Sequence, residues 1–249
     1  MISRRGLGSA LPVILFLSTL SVSPAAQENV LRTIRGKYLY RTLKERRERG
    51  TEDWVLTRQV DGSRTLRAMV QITDTGVLRD VILTVDESFR PKEAYMRLWV
   101  KGKFIGSAVY FVEGNRLEAI VLTPENGRLT QQLSVPGHFS FVGHPVAGDG
   151  WHFWYYDLAR GGEQEITVYN PETLGGGSGA ILGVIQKFKA KFLGEEEVSV
   201  PAGKFFARHY ELGGMFHIWV SGEDHVLVRM TLPQANLEYV LIEYKPNGS

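Results

Sequence analysis

Apolar and polar residues alternate with period two through most of the chain, and turn dipeptides punctuate the alternation. That grammar predicts antiparallel strands joined by hairpins. Strands are expected at Lys37 to Thr42, Glu52 to Val60, Ser63 to Ile72, Val77 to Val85, Ala94 to Val100, Phe104 to Val112, Arg116 to Leu122 and Arg128 to Val135. Asp61-Gly62 is read as a two-residue turn, since both central residues tolerate positive φ. It would set Leu56 opposite Arg67, Trp54 opposite Met69 and Val55 opposite Ala68. Lys44 to Arg49 reads as a solvated loop.

The middle departs from this rhythm. Pro136 to Gly150 is dense in Gly, Pro and His, and Trp151-His152-Phe153-Trp154-Tyr155-Tyr156 follows. A short helix capped by Asp149 and ending near Gly161-Gly162 is one expectation, and a buried strand is the other. Strands resume at Glu165 to Tyr169, Gly183 to Leu193, Lys204 to Leu212, Met215 to Ser221, His225 to Leu232 and Leu237 to Tyr244, with Thr173 to Ala180 a loop. Between Ile185 and Phe192 the alternation puts Lys187, Lys189 and Lys191 in water and Phe188, Ala190 and Phe192 on a core. The expected fold is mainly β: a curved antiparallel sheet or incomplete β-barrel with one or two short helices.

The first residues set the compartment. Arg4 and Arg5 precede the apolar run Leu11 to Leu20, and Ser23-Pro24-Ala25 fits small-residue cleavage after Ala25, so 1–25 reads as a secretory signal peptide and 26–249 as one domain. Export to the periplasm follows as an expectation. A chain of 249 residues can bury a core of its own. The net charge of +2 rests on 29 basic and 27 acidic residues and vanishes when Arg4 and Arg5 are removed. No basic surplus remains for nucleic acid. With no cysteine there is neither a disulfide nor a thiolate nucleophile.

The familiar phosphate-loop, nucleophile-elbow and zinc-helix motifs are absent from the sequence. His144 and His152 are eight apart, which matches no common zinc spacing, so neither a metal site nor a cofactor is expected. Candidate chemistry comes from strand register instead. With Gly213-Gly214 as a two-residue turn, Tyr210 faces His217 and Arg208 faces Trp219, and the Gly222-Glu223-Asp224 turn then sets Arg229 opposite His217. His217, Tyr210 and Arg229 would form the catalytic candidates, His217 or His152 serving as base. Arg208, Trp219, Trp151, His152, Trp154 and Tyr155 would line an apolar pocket with polar anchors. An ordinary solvent face, or an aromatic lid over the sheet, explains the same residues.

Val200-Pro201-Ala202-Gly203-Lys204-Phe205, then Ile218-Trp219-Val220-Ser221 with Glu223-Asp224, resembles the C-terminal half of the exported bacterial domain-of-unknown-function family 3108. The resemblance implies a periplasmic half-barrel like those of lipoprotein carriers, and it brings no catalytic residues. The leading expectation is a periplasmic protein binding an amphiphilic or aromatic small molecule. A cofactor-independent lyase, isomerase or hydrolase, and an envelope scaffold without ligand, remain the alternatives.

Overall fold

The computed structural model describes residues 29–142, 145–171 and 182–247. The expected signal peptide, His144 and the 173–180 loop lie wholly or largely outside these. Fifteen strands form one sheet in the order β8-β7-β6-β5-β4-β3-β2-β1-β15-β14-β13-β12-β11-β10-β9. The first meander comprises β1 (Val30–Thr42), β2 (Glu48–Gln59), β3 (Arg64–Ile72), β4 (Val77–Val85), β5 (Pro91–Val100), β6 (Lys103–Glu113), β7 (Arg116–Thr123) and β8 (Gly127–Ser134). The second comprises β9 (Ser140–Phe141), β10 (Glu163–Asn170), β11 (Val184–Val200), β12 (Gly203–Leu212), β13 (Phe216–Ser221), β14 (Val226–Leu232) and β15 (Leu237–Asn247). Antiparallel pairing of β1 with β15 joins the two, so local hairpins build almost all of the sheet.

Alternation places one residue in two on the inner face, and the sheet curves so that this face encloses the core. Tyr38, Leu66, Val70, Tyr110, Leu117, Val121, Val168 and Leu227 are each essentially without solvent contact. Backbone pairing does not close the curve into a barrel. A side chain instead ties the β8 edge to β10 and the start of β11: Gln131 on β8 donates from Nε2 to the Gly183 carbonyl at 2.8 Å and accepts from the Tyr169 hydroxyl at 3.0 Å. Gly183 N–H also donates to Gln131 Oε1 at 3.2 Å. One glutamine thus supplies a donor and an acceptor where ladder bonds would stand.

The aromatic segment folds as a 3-10 helix, Val146–Tyr155, inside the curve. Pro145 precedes it and Asp149 sits within it, buried, rather than capping it. The cause is topological. β9 and β10 run parallel, so the chain must cross over between them, and this helix lies in that connection. Gly148 and Gly150 disfavour a regular α-helix and permit close packing on the sheet.

Hairpin registers differ from those read off the turn dipeptides. Leu56 faces Leu66, Trp54 faces Ala68 and Val55 faces Arg67, one residue away from expectation. The connection is three residues, Val60 to Gly62: Gln59 N–H donates to the Ser63 carbonyl at 2.9 Å and Gly62 takes φ +82°. That is a three-residue hairpin loop with glycine in the left-handed position. The outer lysines of β11 are exposed and Ala190 is buried, as its alternation requires.

Gly36 shows how tightly the inner face is filled. It stands opposite Trp54, and a Cβ there would fall 2.2 Å from Trp54 Cζ2. Trp54 is buried and stacked on Tyr38 at 5.9 Å, so it has little room to yield. Gly36→Ala is expected to cost about 1–3 kcal/mol, lowering the melting temperature by several degrees on the scale usual for this size. An unchanged melt followed by circular dichroism would show that Trp54 moves freely.

Candidate functional site

Two groups of chemically capable residues lie on opposite faces of the sheet. Inside, the 3-10 helix acts as a plug. Trp151 is buried, donates from Nε1 to the Asp224 carbonyl at 3.1 Å and packs on Phe89 at 5.8 Å. Phe153 stacks on Tyr210 at 4.2 Å. Tyr155 stacks on His138 at 5.1 Å, and burial raises its hydroxyl pKa. Trp154 is 45% exposed and covers Phe89 at the rim.

Polar groups fix the plug at its start. Glu52 on β2 is buried, and its carboxylate accepts from Val146 N–H at 2.8 Å, Ala147 N–H at 2.9 Å and the Tyr40 hydroxyl. The first free N–H groups of the helix are thereby satisfied from beneath. Burial drives the Glu52 pKa up to about 7, against the lowering effect of those bonds, and nearby Asp149 pushes the same way as burial. His152 is buried between the Ser140 hydroxyl, 2.5 Å from Nδ1, and Asp149 Oδ1, 3.3 Å from Nε2. This Ser-His-Asp order evokes a nucleophile and its base. All three side chains are shut away from solvent, so as folded the array braces the plug.

Beside the plug the inner wall is apolar. Leu83, Met96, Tyr110, Phe141, Pro145 and Gly148 border a cavity of about 20 Å³, the scale of a single water. A broader groove of about 470 Å³ lies across β15, β1, β2 and β3, but Arg35, Lys37, Asp53 and Glu243 make its walls charged.

The turn between β13 and β14 covers one end of the interior. Asp224, almost wholly buried, receives Arg64 Nε at 2.9 Å and an Arg32 guanidinium. Glu223 takes Arg32 at 3.1 Å and Arg58 at 2.9 Å. Arg64 also lies over the Phe89 ring at 4.1 Å. His225 follows at φ +49°, its pKa lowered to about 4 chiefly by burial.

The expected row of Tyr210, His217 and Arg229 is not formed. Gly213, Gly214 and Met215 make a three-residue connection, so Tyr210 pairs with Ile218 and Glu211 with His217. A one-residue slip turns a strand over, and Tyr210 accordingly points into the core at 1% exposure. Arg229 stands opposite Trp219, and His217 opposite Thr231, because the β13–β14 loop is one residue longer than supposed and a bulge between Trp219 and Val220 adds another. Arg208 pairs across the ladder with Val220 and binds Glu195 at 3.0 Å.

His209 takes the place expected for Tyr210. On the outer face its ring stacks on Trp219 at 4.2 Å, and its Nε2 is 3.1 Å from His217 Nδ1. Arg229 lies over Trp219 at 5.2 Å and binds Glu238 at 2.7 Å. His217, Trp219 and Arg229 therefore remain together, separated by the sheet from Trp151, His152, Trp154 and Tyr155. His209, Glu52 and Ser140 went unread in the sequence. A three-residue loop at Gly213 would have found the first, whereas the other two depend on where the crossover folds back.

Among the described residues no helix is long and apolar enough to cross a membrane. No family model matches the chain, and no curated protein matches it. A crystal structure of a β-barrel-like protein of domain-of-unknown-function family DUF1849 from Brucella abortus is similar over 88% of this chain and 99% of that one, at 10% identity and a TM-score of 0.57. A structure titled "putative lipoprotein" from Parabacteroides distasonis matches 87% of this chain and 96% of that one, at 10% identity and a TM-score of 0.32. The first likeness establishes the fold, a curved β-barrel-like sheet also found in a bacterial protein of unknown function.

Proposed function

We propose that the protein is exported, loses residues 1–25, and serves in the periplasm as a carrier of an amphiphilic or aromatic small molecule held between the concave sheet and the plug. The observation that carries this reading is the contrast between wall and plug. The wall on β4 to β6 presents Val81, Leu83, Met96, Ala108 and Tyr110, an aliphatic and aromatic surface beyond Arg79. The plug, which borders this wall at Gly148, is a ten-residue 3-10 helix, a form whose hydrogen bonds are weak and which is uncommon beyond three or four residues. Displacing it would expose Val146, Trp151 and Phe153, so an amphiphile that opens the pocket must bury comparable apolar surface in their place. Without displacement the cavity holds no ligand larger than water. The motif resemblance to domain-of-unknown-function family 3108 and its carrier-like half-barrels fits this reading.

The enzyme alternative has less support. Tyr210 and His217 lie on opposite faces, and His152 has no solvent access. Solvent extraction of protein purified from the periplasm, followed by mass spectrometry, tests the proposal. A bound amphiphile is expected in the wild type and not in Met96→Trp, which fills the cavity. If extraction releases nothing and the purified protein also shows no saturable uptake of a fluorescent fatty-acid analogue, the carrier reading is wrong.

A further inference from the structure

The outer-face histidines are too well arranged for an incidental contact. We propose that His209 and His217 form a surface site for a borderline divalent transition metal, Cu²⁺, Ni²⁺ or Zn²⁺, with Glu196 as the carboxylate behind the first ligand. The two residues are eight apart in sequence, a spacing that matches no common zinc motif. The β12–β13 hairpin makes them diagonal neighbours on one face, since His209 pairs with Trp219 and His217 with Glu211.

Geometry supports chelation. His209 Nε2 and His217 Nδ1 are 3.1 Å apart. Two metal–nitrogen bonds of about 2.0–2.1 Å to atoms at that separation enclose an angle of about 100°, between the square-planar and tetrahedral values. Only one of the two nitrogens can carry hydrogen when they face each other at this distance, so at least one lone pair is already presented.

The surroundings of His209 are those of a ligating imidazole. Its Nδ1 lies 3.3 Å from Glu196 Oε1, and that oxygen accepts from Trp219 Nε1 at 2.6 Å. A carboxylate on the far ring nitrogen fixes the tautomer that leaves Nε2 free for metal and raises its basicity. The parallel stack on Trp219, 18° between planes, fixes the ring's orientation. The pairing of Arg229 with Glu238 offsets the nearest cation. Among the described residues no three His, Asp or Glu converge on one point. The protein therefore supplies two nitrogens, and water fills the remaining positions.

Titration calorimetry with Zn²⁺, and electron paramagnetic resonance with Cu²⁺, test this on the signal-free protein. One ion per chain is expected, with two imidazole nitrogens in the copper spectrum. His209→Ala combined with His217→Ala should abolish that binding; because the His209 side chain is only 19% exposed and stacks on Trp219, the melt of the double variant should fall slightly, and His217→Ala alone, which keeps that stack, should lose the two-nitrogen copper signal with the native circular dichroism spectrum retained. Glu196→Gln, which keeps both ligands, should weaken it about tenfold. Binding that survives the double variant, or a wild type that binds neither ion, overturns the proposal. Neither result bears on the carrier reading, whose pocket is on the other side of the sheet.

Discussion

Asp224→Ala is expected to lower stability by about 3–5 kcal/mol, the usual cost of removing one partner from a buried ion pair. Its side chain is 1% exposed and meets both Arg64 and Arg32. Arg64 is itself 5% exposed at the side chain, and burial together with the neighbouring arginines already pulls its pKa down to about 10. Without Asp224 its nearest remaining polar contact is the Gly62 carbonyl at 2.9 Å, which carries no compensating charge. Glu223 offers the contrast: it binds two arginines of the same cluster but is 59% exposed at the side chain. Glu223→Ala should cost less than about 1 kcal/mol. Urea unfolding of the two variants measures the difference, and equal losses would mean that water reaches Asp224. Because the same turn accepts the Trp151 indole N–H, Asp224→Ala should also loosen the plug.

The fold was legible because alternation survives errors in detail. Lys187, Lys189 and Lys191 announce the outer face of β11 whatever their partners, and nearly every hairpin joins adjacent strands. What failed was counting loop residues. Asp61-Gly62 and Gly213-Gly214 both look like two-residue turns, yet each belongs to a three-residue connection with glycine in the left-handed region. The difference is small locally, but period two magnifies it. Tyr210 passed from the outer face to the core, and His209 took its place. The plug interior was illegible for another reason. Glu52 lies 94 residues from Val146, and Ser140 reaches His152 only because a crossover returns through the curve. No local pattern records contacts of that range. Even β9, two residues long, is a strand only because β10 lies beside it.

Glu52 joins stability, pH and function in the second large prediction. Its pKa is about 7 in the folded protein against an ordinary glutamate value of 4.5. Between those values the folded protein holds a proton that the unfolded chain has released. Stability from this group is therefore greatest below about pH 4.5 and is lost as pH rises through 7. His225 acts in the opposite sense: its pKa is depressed from 6.5 to about 4, so its contribution is present above pH 6.5 and lost as pH falls through 4. Comparison with Glu52→Gln, which retains His225, isolates the carboxylate. Relative to wild type the variant should gain about 3 kcal/mol between pH 4.5 and 8, since each pKa unit corresponds to about 1.4 kcal/mol. Urea unfolding at several pH values measures this, and parallel profiles would show that Glu52 titrates normally. The same linkage governs the plug in the carrier reading. Lifting the helix admits water to Glu52 and returns its pKa toward the ordinary range, so the open form holds fewer protons and rising pH favours opening. Uptake of a fluorescent fatty-acid analogue by wild type should accelerate from pH 5 to pH 8, while Glu52→Gln, neutral throughout, should show no such acceleration. A wild-type rate independent of pH would separate Glu52 from the movement of the plug.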